Sequence, residues 1–239
     1  MNSIDAYGED LSRLQKMTWR VLRAAMAALA KVWFRYEVHG RENLPKSGAF
    51  IVAPVHRSNL DTPLLPVIRS EPLRFMGKDS LWKASRFGAW FLTMLGGFPV
   101  ERGSADRGAL RAAEEVLARG ETLVMFPEGT RREGPRVLAE NMFDGPVFVS
   151  GRQQCPIVPV GIGGSEAAMP KGSRFVRPRK LVFIIGEPIP PPEPGESGRV
   201  GRQTVRRRTE ELRLTLQGLF DEAMEEVGTP NPPTIESAE

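Results

Sequence analysis

A chain of 239 residues, 41% of them hydrophobic, can bury one substantial core, and with no internal repeat or long linker it reads as a single domain. Its 33 basic and 29 acidic residues leave a net charge of only +4, too mild a balance to argue for a nucleic-acid partner without a concentrated patch. One cysteine, Cys155, excludes an intramolecular disulfide framework and a cysteine-ligated zinc site, and fits a reducing compartment.

The first element in the chain is the most asymmetric in charge. Between Leu11 and Tyr36 stand Arg13, Lys16, Arg20, Arg23, Lys31 and Arg35 and no acidic residue. On a helix these six fall within an arc of about 120°, opposite Leu14, Val21, Leu22, Ala25, Met26, Leu29, Val32 and Trp33. Residues 1–35 are therefore expected to form a basic amphipathic helical segment. Two readings stay open on these residues alone: a helix lying in a membrane interface, or a helix on the protein's own core with a solvated basic face. The uncharged run Ala24–Ala30 is too short for a transmembrane span, and the charged start of the segment does not suit a signal peptide.

Beyond residue 36 short apolar runs alternate with amphipathic stretches. Strands are expected at 34–40, 49–55, 73–78, 97–101, 122–127, 156–162 and 180–186, with helices at 60–69, 79–94, 106–119 and 140–153. This alternation predicts an α/β fold over 36–226, a mixed, mostly buried sheet flanked by helices, with functional residues in loops at strand ends. The proline-rich stretch 187–201 cannot continue a sheet. A long final helix follows it, and 227–239 is expected to be a disordered tail.

His56, one of two histidines, follows the strand "AFIVAPV" and precedes Asp61 by five positions. Five positions on a continuous helix separate two side chains by about 140°, so the pair can meet only where the chain reverses, as at a helix start capped by Ser58 or Asn59. In that geometry a carboxylate orients the imidazole and stabilises the imidazolium formed when the outer nitrogen takes a proton. The spacing alone is common, and two polar residues sharing a turn is the competing account.

Three further stretches lie at expected strand ends: "GGFPVER" (96–102), "FPEGTR" (126–131) and "PIVPVGI" (156–162). With "HRSNLD", in that order and at those spacings, they resemble the four blocks of the glycerolipid acyltransferases, and most of all the 1-acylglycerol-3-phosphate acyltransferases. The resemblance covers about residues 36–190, and "FPEGTR" carries most of its specificity. It implies that His56 is the base and Asp61 its orienter. It also implies that Arg102 and Arg131 bind the acceptor's phosphate, that Glu128, Gly129 and Thr130 shape the acceptor site, and that Lys78 adds a third positive charge. It further implies an acyl thioester donor, acyl-CoA or acyl carrier protein, a lysophospholipid acceptor, and no cofactor or metal.

Substrates of that kind live at a bilayer, so the resemblance favours the interfacial reading of 1–35. The expected setting is an anionic membrane surface on the cytoplasmic face of the cell membrane, with the protein peripheral or monotopic and with no nucleic-acid partner. Acylation of glycerol 3-phosphate or of another lysophospholipid is the nearest alternative, and a non-catalytic lipid-binding scaffold a remoter one. Ser58, Ser165 in "GGSEA" and Cys155 are the rival nucleophiles; none has a G-x-S-x-G or comparable setting. Three departures from the family pattern are Val55 before the histidine, Pro99 in the second block, and "NMFDGPV", which has Asp144 where a lysine is frequent.

Overall fold

Runs rich in β-branched and aromatic residues form seven strands: β1 (Glu37–His39), β2 (Phe50–Pro54), β3 (Leu73–Lys78), β4 (Gly97–Val100), β5 (Thr122–Val124), β6 (Ile157–Gly163) and β7 (Val182–Ile185). They were each expected from the sequence, within a few residues at the ends. In the computed structural model, which describes residues 13–94, 96–100, 107–195, 198 and 200–233, they make one sheet of order β1-β7-β6-β2-β5-β3-β4.

Strands β2 to β6 run parallel, and β7 turns back antiparallel to β6 with β1 parallel to it. Every residue of β2 and of β6 is buried, as strands covered on both faces must be. The C-terminal ends of β2 to β6 therefore share one edge of the sheet with the N-terminal ends of β7 and β1.

Eight helices are described: α1 (Arg13–Phe34), α2 (Asp61–Leu64), α3 (Ser80–Ala84), α4 (Arg86–Met94), α5 (Arg107–Ala118), α6 (Gly145–Gln153), α7 (Ser165–Ala168) and α8 (Arg202–Glu226). The last crosses β6 closely enough that a Cβ on Gly161 would lie 2.2 Å from the Leu219 carbonyl oxygen. Only glycine fits there. Val205, Leu212, Leu216 and Phe220 of α8 enter the main core beside Val158, Val160 and Ile162.

Three expected helices are shorter or broken, each for a local reason. The 60–69 helix is one α-turn followed by a 3-10 turn, Leu65–Ile68, because Pro66 has no N–H to continue the ladder. The 79–94 helix divides at Ser85, whose backbone is extended and whose Oγ accepts the Gly88 N–H, capping α4. The 140–153 helix begins only at Gly145, with Pro146 in its first turn. Of the tail expected from 227, residues 227–233 are described: Thr229 N–H donates to the Met224 carbonyl and Asn231 to Asp221.

Helix α1 is held to the domain by a side other than the centre of its apolar stripe. Trp19, Ala30 and Phe34 are buried, whereas Val21, Leu29, Val32 and Trp33 are exposed. Much of the apolar stripe opposite the basic arc is thus uncovered, with Leu22 and Met26 half-buried. Among the described residues no helix is long and apolar enough to cross a membrane.

Candidate active site

The ladder between β2 and β5 fixes where the first and third blocks meet. Phe50 pairs with Thr122 and Val52 with Val124, a constant offset of 72. Continued past the strand ends, the same offset sets His56 opposite Glu128, and the His56 N–H donates to Glu128 Oε2 at 2.9 Å. Past the end of β2 the burial of successive side chains alternates. Val55 and Arg57 are fully buried, and His56 between them keeps its side chain 15% exposed. Val55 N–H bonds to the Val160 carbonyl, so this unusual residue is an ordinary part of the core beside β6.

The reversal between His56 and Asp61 is built by the carboxylate. Asp61 Oδ2 accepts from the backbone N–H of Arg57 and of Ser58, both at 2.7 Å, and lies 3.0 Å from His56 Nδ1. The loop wraps around one oxygen. The expected side-chain cap is not what starts α2: its N-cap is Leu60, and the Ser58 hydroxyl donates instead to the Met169 carbonyl at 2.8 Å. In the tautomer that donates Nδ1–H to this oxygen, Nε2 on the opposite side of the ring is the acceptor. Phe126 stacks on the imidazole with ring centroids 4.0 Å apart, so the ring is held on its face as well as its edge.

Beside this pair lies a second one that the sequence reading did not single out. Arg57 is the largest fully buried side chain described, and its Nη1 donates to both Glu128 carboxylate oxygens at 2.7 Å. Its Nε and Nη2 donate to the carbonyls of Gly134 and Arg136, and Phe220 of α8 stacks on the guanidinium at 5.0 Å. Glu128, expected to shape the acceptor site, is therefore sealed from solvent and acts on the site through the His56 backbone. The signals available in the sequence were the period-two alternation across Val55, His56 and Arg57 and a matching acid 71 residues on.

The remaining residues of the third block turn sharply at the surface. Gly129 has φ +64 and Thr130 is exposed. Arg131 is half-buried and makes no hydrogen bond or ion pair among the described residues, which leaves a guanidinium next to the loop that holds His56. The next residue, Arg132, donates its N–H to the His56 carbonyl at 2.8 Å. Lys78 ends β3 at the same edge as β2; nothing of its side chain is described. Arg102 lies outside the described residues, two positions beyond Val100 at the end of β4. Since β4 is three strands from β2, that end is about 14 Å from the end of β2.

The rival nucleophiles sit in settings that oppose reaction. Ser58 and Ser165 are buried, and burial pushes the Cys155 thiol up to about 11. One group of possible metal ligands, Glu37, His39 and Glu226, shares no residue with the His56 site. Lys180 already bonds Glu37 at 3.0 Å and holds its carboxyl below the ordinary range.

Comparison with known proteins agrees with this geometry. The family model described as Acyltransferase matches residues 35–163. The 1-acyl-sn-glycerol-3-phosphate acyltransferase of Bacillus subtilis is 29% identical over 154 residues, covering 64% of this chain and 73% of that protein. The chloroplastic 1-acyl-sn-glycerol-3-phosphate acyltransferase BAT2 of Brassica napus is 27% identical over 173 residues, 67% of this chain, and the match spans about half (49%) of its length. The crystal structure of the 1-acyl-sn-glycerophosphate (LPA) acyltransferase PlsC of Thermotoga maritima superposes with a TM-score of 0.71 at 28% identity, covering 94% of this chain and 86% of that one. With the family match extending over more than half of its residues, this chain belongs to the acyltransferase family.

Proposed function

We propose that this acyltransferase moves a fatty acyl group from a thioester donor to the free hydroxyl of 1-acyl-glycerol-3-phosphate, giving phosphatidic acid for phospholipid synthesis. The observation that supports this reading is His56, held on Nδ1 by Asp61, with no hydrogen bond to Nε2 among the described residues, on a loop bonded to Arg132, the neighbour of Arg131. Nε2 takes the proton of the acceptor hydroxyl as its oxygen attacks the thioester carbonyl. The tetrahedral intermediate then collapses with cleavage of the carbon–sulfur bond, and the thiolate leaves with the proton returned from the imidazolium. Asp61 stabilises the imidazolium between the two steps. General base catalysis of this kind contributes about 10²- to 10⁴-fold in rate.

The acceptor phosphate suits Arg131, with Arg102 and Lys78 as further charges, because a guanidinium binds phosphate oxygens in pairs. Gly129 and Thr130 form the turn against which the glycerol backbone rests. No cofactor or metal enters the scheme. The exposed stripe of α1, flanked by cations, docks the protein on an anionic bilayer where the acceptor resides.

Transfer assays with 1-acyl-glycerol-3-phosphate, glycerol 3-phosphate and other lysophospholipids, each with acyl-CoA and with acyl carrier protein donors, test the proposal. Preference for 1-acyl-glycerol-3-phosphate, lost in Arg131→Ala through a raised KM, is expected. Preference for glycerol 3-phosphate, or a covalent acyl-enzyme formed from donor alone, overturns it.

A further inference from the structure

The segment between α7 and β7, residues 169–181, has no regular element and is not used by the chemistry above. It carries Lys171, Arg174, Arg177 and Arg179, all exposed, and the chain has no acidic residue from Ala167 to Gly186. At its tip Phe175 is 82% exposed, the most exposed of the large apolar side chains among the described residues, with Val176 beside it. The tip is shaped by its own sequence: the Phe175 N–H donates to Ser173 Oγ at 3.1 Å, the Ser173 hydroxyl donates to the Phe175 carbonyl at 3.0 Å, and the Arg177 N–H donates to the Ala168 carbonyl at 2.8 Å. A folded turn thus presents an aromatic ring to solvent among four cations.

The two ends of the segment show what that ring faces. One end is tied to the catalytic loop, because Met169 accepts the Ser58 hydroxyl. The other is tied to α1: the Leu181 N–H donates to the carbonyl of Phe34, the last residue of that helix, at 3.2 Å. Since β1 and β7 begin at the edge where β2 ends, the tip, the end of α1 and His56 share that edge. Near that end of α1, Leu29 is 72% and Val32 81% exposed, and Trp33 is half-exposed. The exposed apolar side chains of α1 and of the tip thus belong to segments that reach the same edge, each flanked by cations.

We infer that residues 171–179 are a second bilayer-docking element, in which Phe175 enters the headgroup region of an anionic phospholipid surface while Lys171, Arg174, Arg177 and Arg179 contact its phosphates. The inference rests on the proposed action at a bilayer and goes beyond it. Two contacts at the catalytic edge, rather than one, fix the orientation of the domain, so that His56 meets an acceptor still seated in the membrane. A protein partner with an acidic surface would satisfy the four cations but gives no reason for the exposed apolar residues that α1 presents at the same edge.

The full chain is tested on vesicles of phosphatidylcholine with and without phosphatidylglycerol. Phe175→Ser is expected to lower the partition coefficient onto anionic vesicles by about tenfold, and Arg174→Gln with Arg177→Gln to lower it in a salt-sensitive way. Turnover of a short-chain, monomeric acceptor is expected to stay at the wild-type value in both. An environment-sensitive dye on Phe175→Cys, with Cys155 buried and unlabelled, is expected to shift to the blue on these vesicles. Leu29→Gln with Val32→Gln reports on α1 separately. Loss of binding in that variant with wild-type binding in Phe175→Ser overturns the loop's role and leaves the interfacial reading of α1 standing. Absence of binding by the wild-type chain overturns both. A KM raised only for an acyl carrier protein donor, with vesicle binding intact, makes the tip a carrier-protein site and overturns the inference.

Discussion

Two polar pairs begin on adjacent residues, yet they are built for opposite purposes. His56 and Asp61 meet through one contact of 3.0 Å at a partly exposed imidazole, with no hydrogen bond to Nε2 among the described residues. Arg57 and Glu128 meet through contacts of 2.7 Å with neither side chain exposed, and every guanidinium nitrogen is spent on a carboxylate or a carbonyl. The first pair has a free lone pair and so can do chemistry. The second has none, and it ties the loop after β2 to the loop after β5 and to the 134–136 segment. A catalytic edge made of separate loops needs both kinds.

Removing the imidazole gives the largest effect expected from that contrast. His56→Ala should lower turnover by about 10²- to 10⁴-fold. Because the ring makes one hydrogen bond and one stacking contact, its melting temperature should remain close to wild type, as a thermal unfolding curve beside the transfer assay will show. A variant that keeps near-normal turnover would remove His56 from the mechanism.

Arg57→Met should show the opposite pattern. Leaving Glu128 buried without its partner costs about 3–5 kcal/mol, a fall in melting temperature of roughly 10 °C in a domain of this size. Arg57→Met combined with Glu128→Leu should be less destabilised than either single change, because no unpaired charge is left inside. Additive losses in such a cycle would mean that the two residues act independently. Turnover per folded molecule should fall less than in His56→Ala, since the damage reaches the imidazole only through the backbone.

The same contrast explains what could be read from the sequence. The strands were legible because apolar runs between glycine, proline and helix signals leave little choice, and the order of the four blocks placed the chemistry at one edge. His56 and Asp61 were legible as a pair because a strand end followed by a helix start reverses the chain. The role of Glu128 was not, because a carboxylate in a strand-end block looks the same whether it faces a substrate or a buried arginine. Only the offset of 72 between β2 and β5 turns it inward, and that register is a property of strand pairing, not of either segment. The packing side of α1 was hidden for a similar reason. Trp19 and Ala30 stand at the border between the apolar and basic arcs and Phe34 just within the basic one, and the domain selects that side over the more apolar stripe.

A smaller effect is expected where backbone shape alone is at issue. Gly129 sits at φ +64, and a Cβ there would meet the Phe143 ring at 2.7 Å. Gly129→Ala should cost about 1–3 kcal/mol if the turn is kept. Phe143 is exposed and can swing aside, which favours the lower figure. The affected property should be acceptor KM more than kcat, because the turn carries Arg131 while His56 is held by contacts that do not involve Gly129. Equal losses in both would place Gly129 in support of the base as well.

The smallest effect should come from Cys155, which shares with Glu128 a sealed position but leaves no buried charge unpaired when it is removed. Its side chain is buried just before β6, and burial raises its thiol above the ordinary value to about 11. The sign follows from the direction of that shift. The folded chain favours the neutral thiol, so any contribution to stability is fully present below the unfolded value and is lost as pH rises through the folded one. At neutral pH the sulfur is neither charged nor accessible, and thiolate character is what nucleophilic attack requires. Cys155→Ala should therefore keep wild-type turnover and lose about 1 kcal/mol, or about 2–4 °C in melting temperature. Iodoacetamide should leave the mass of the folded chain unchanged at neutral pH and add one carbamidomethyl group once the chain is unfolded. Alkylation of the native chain together with loss of transfer would instead make Cys155 part of the site, and would break the division between open and sealed groups on which the other expectations rest.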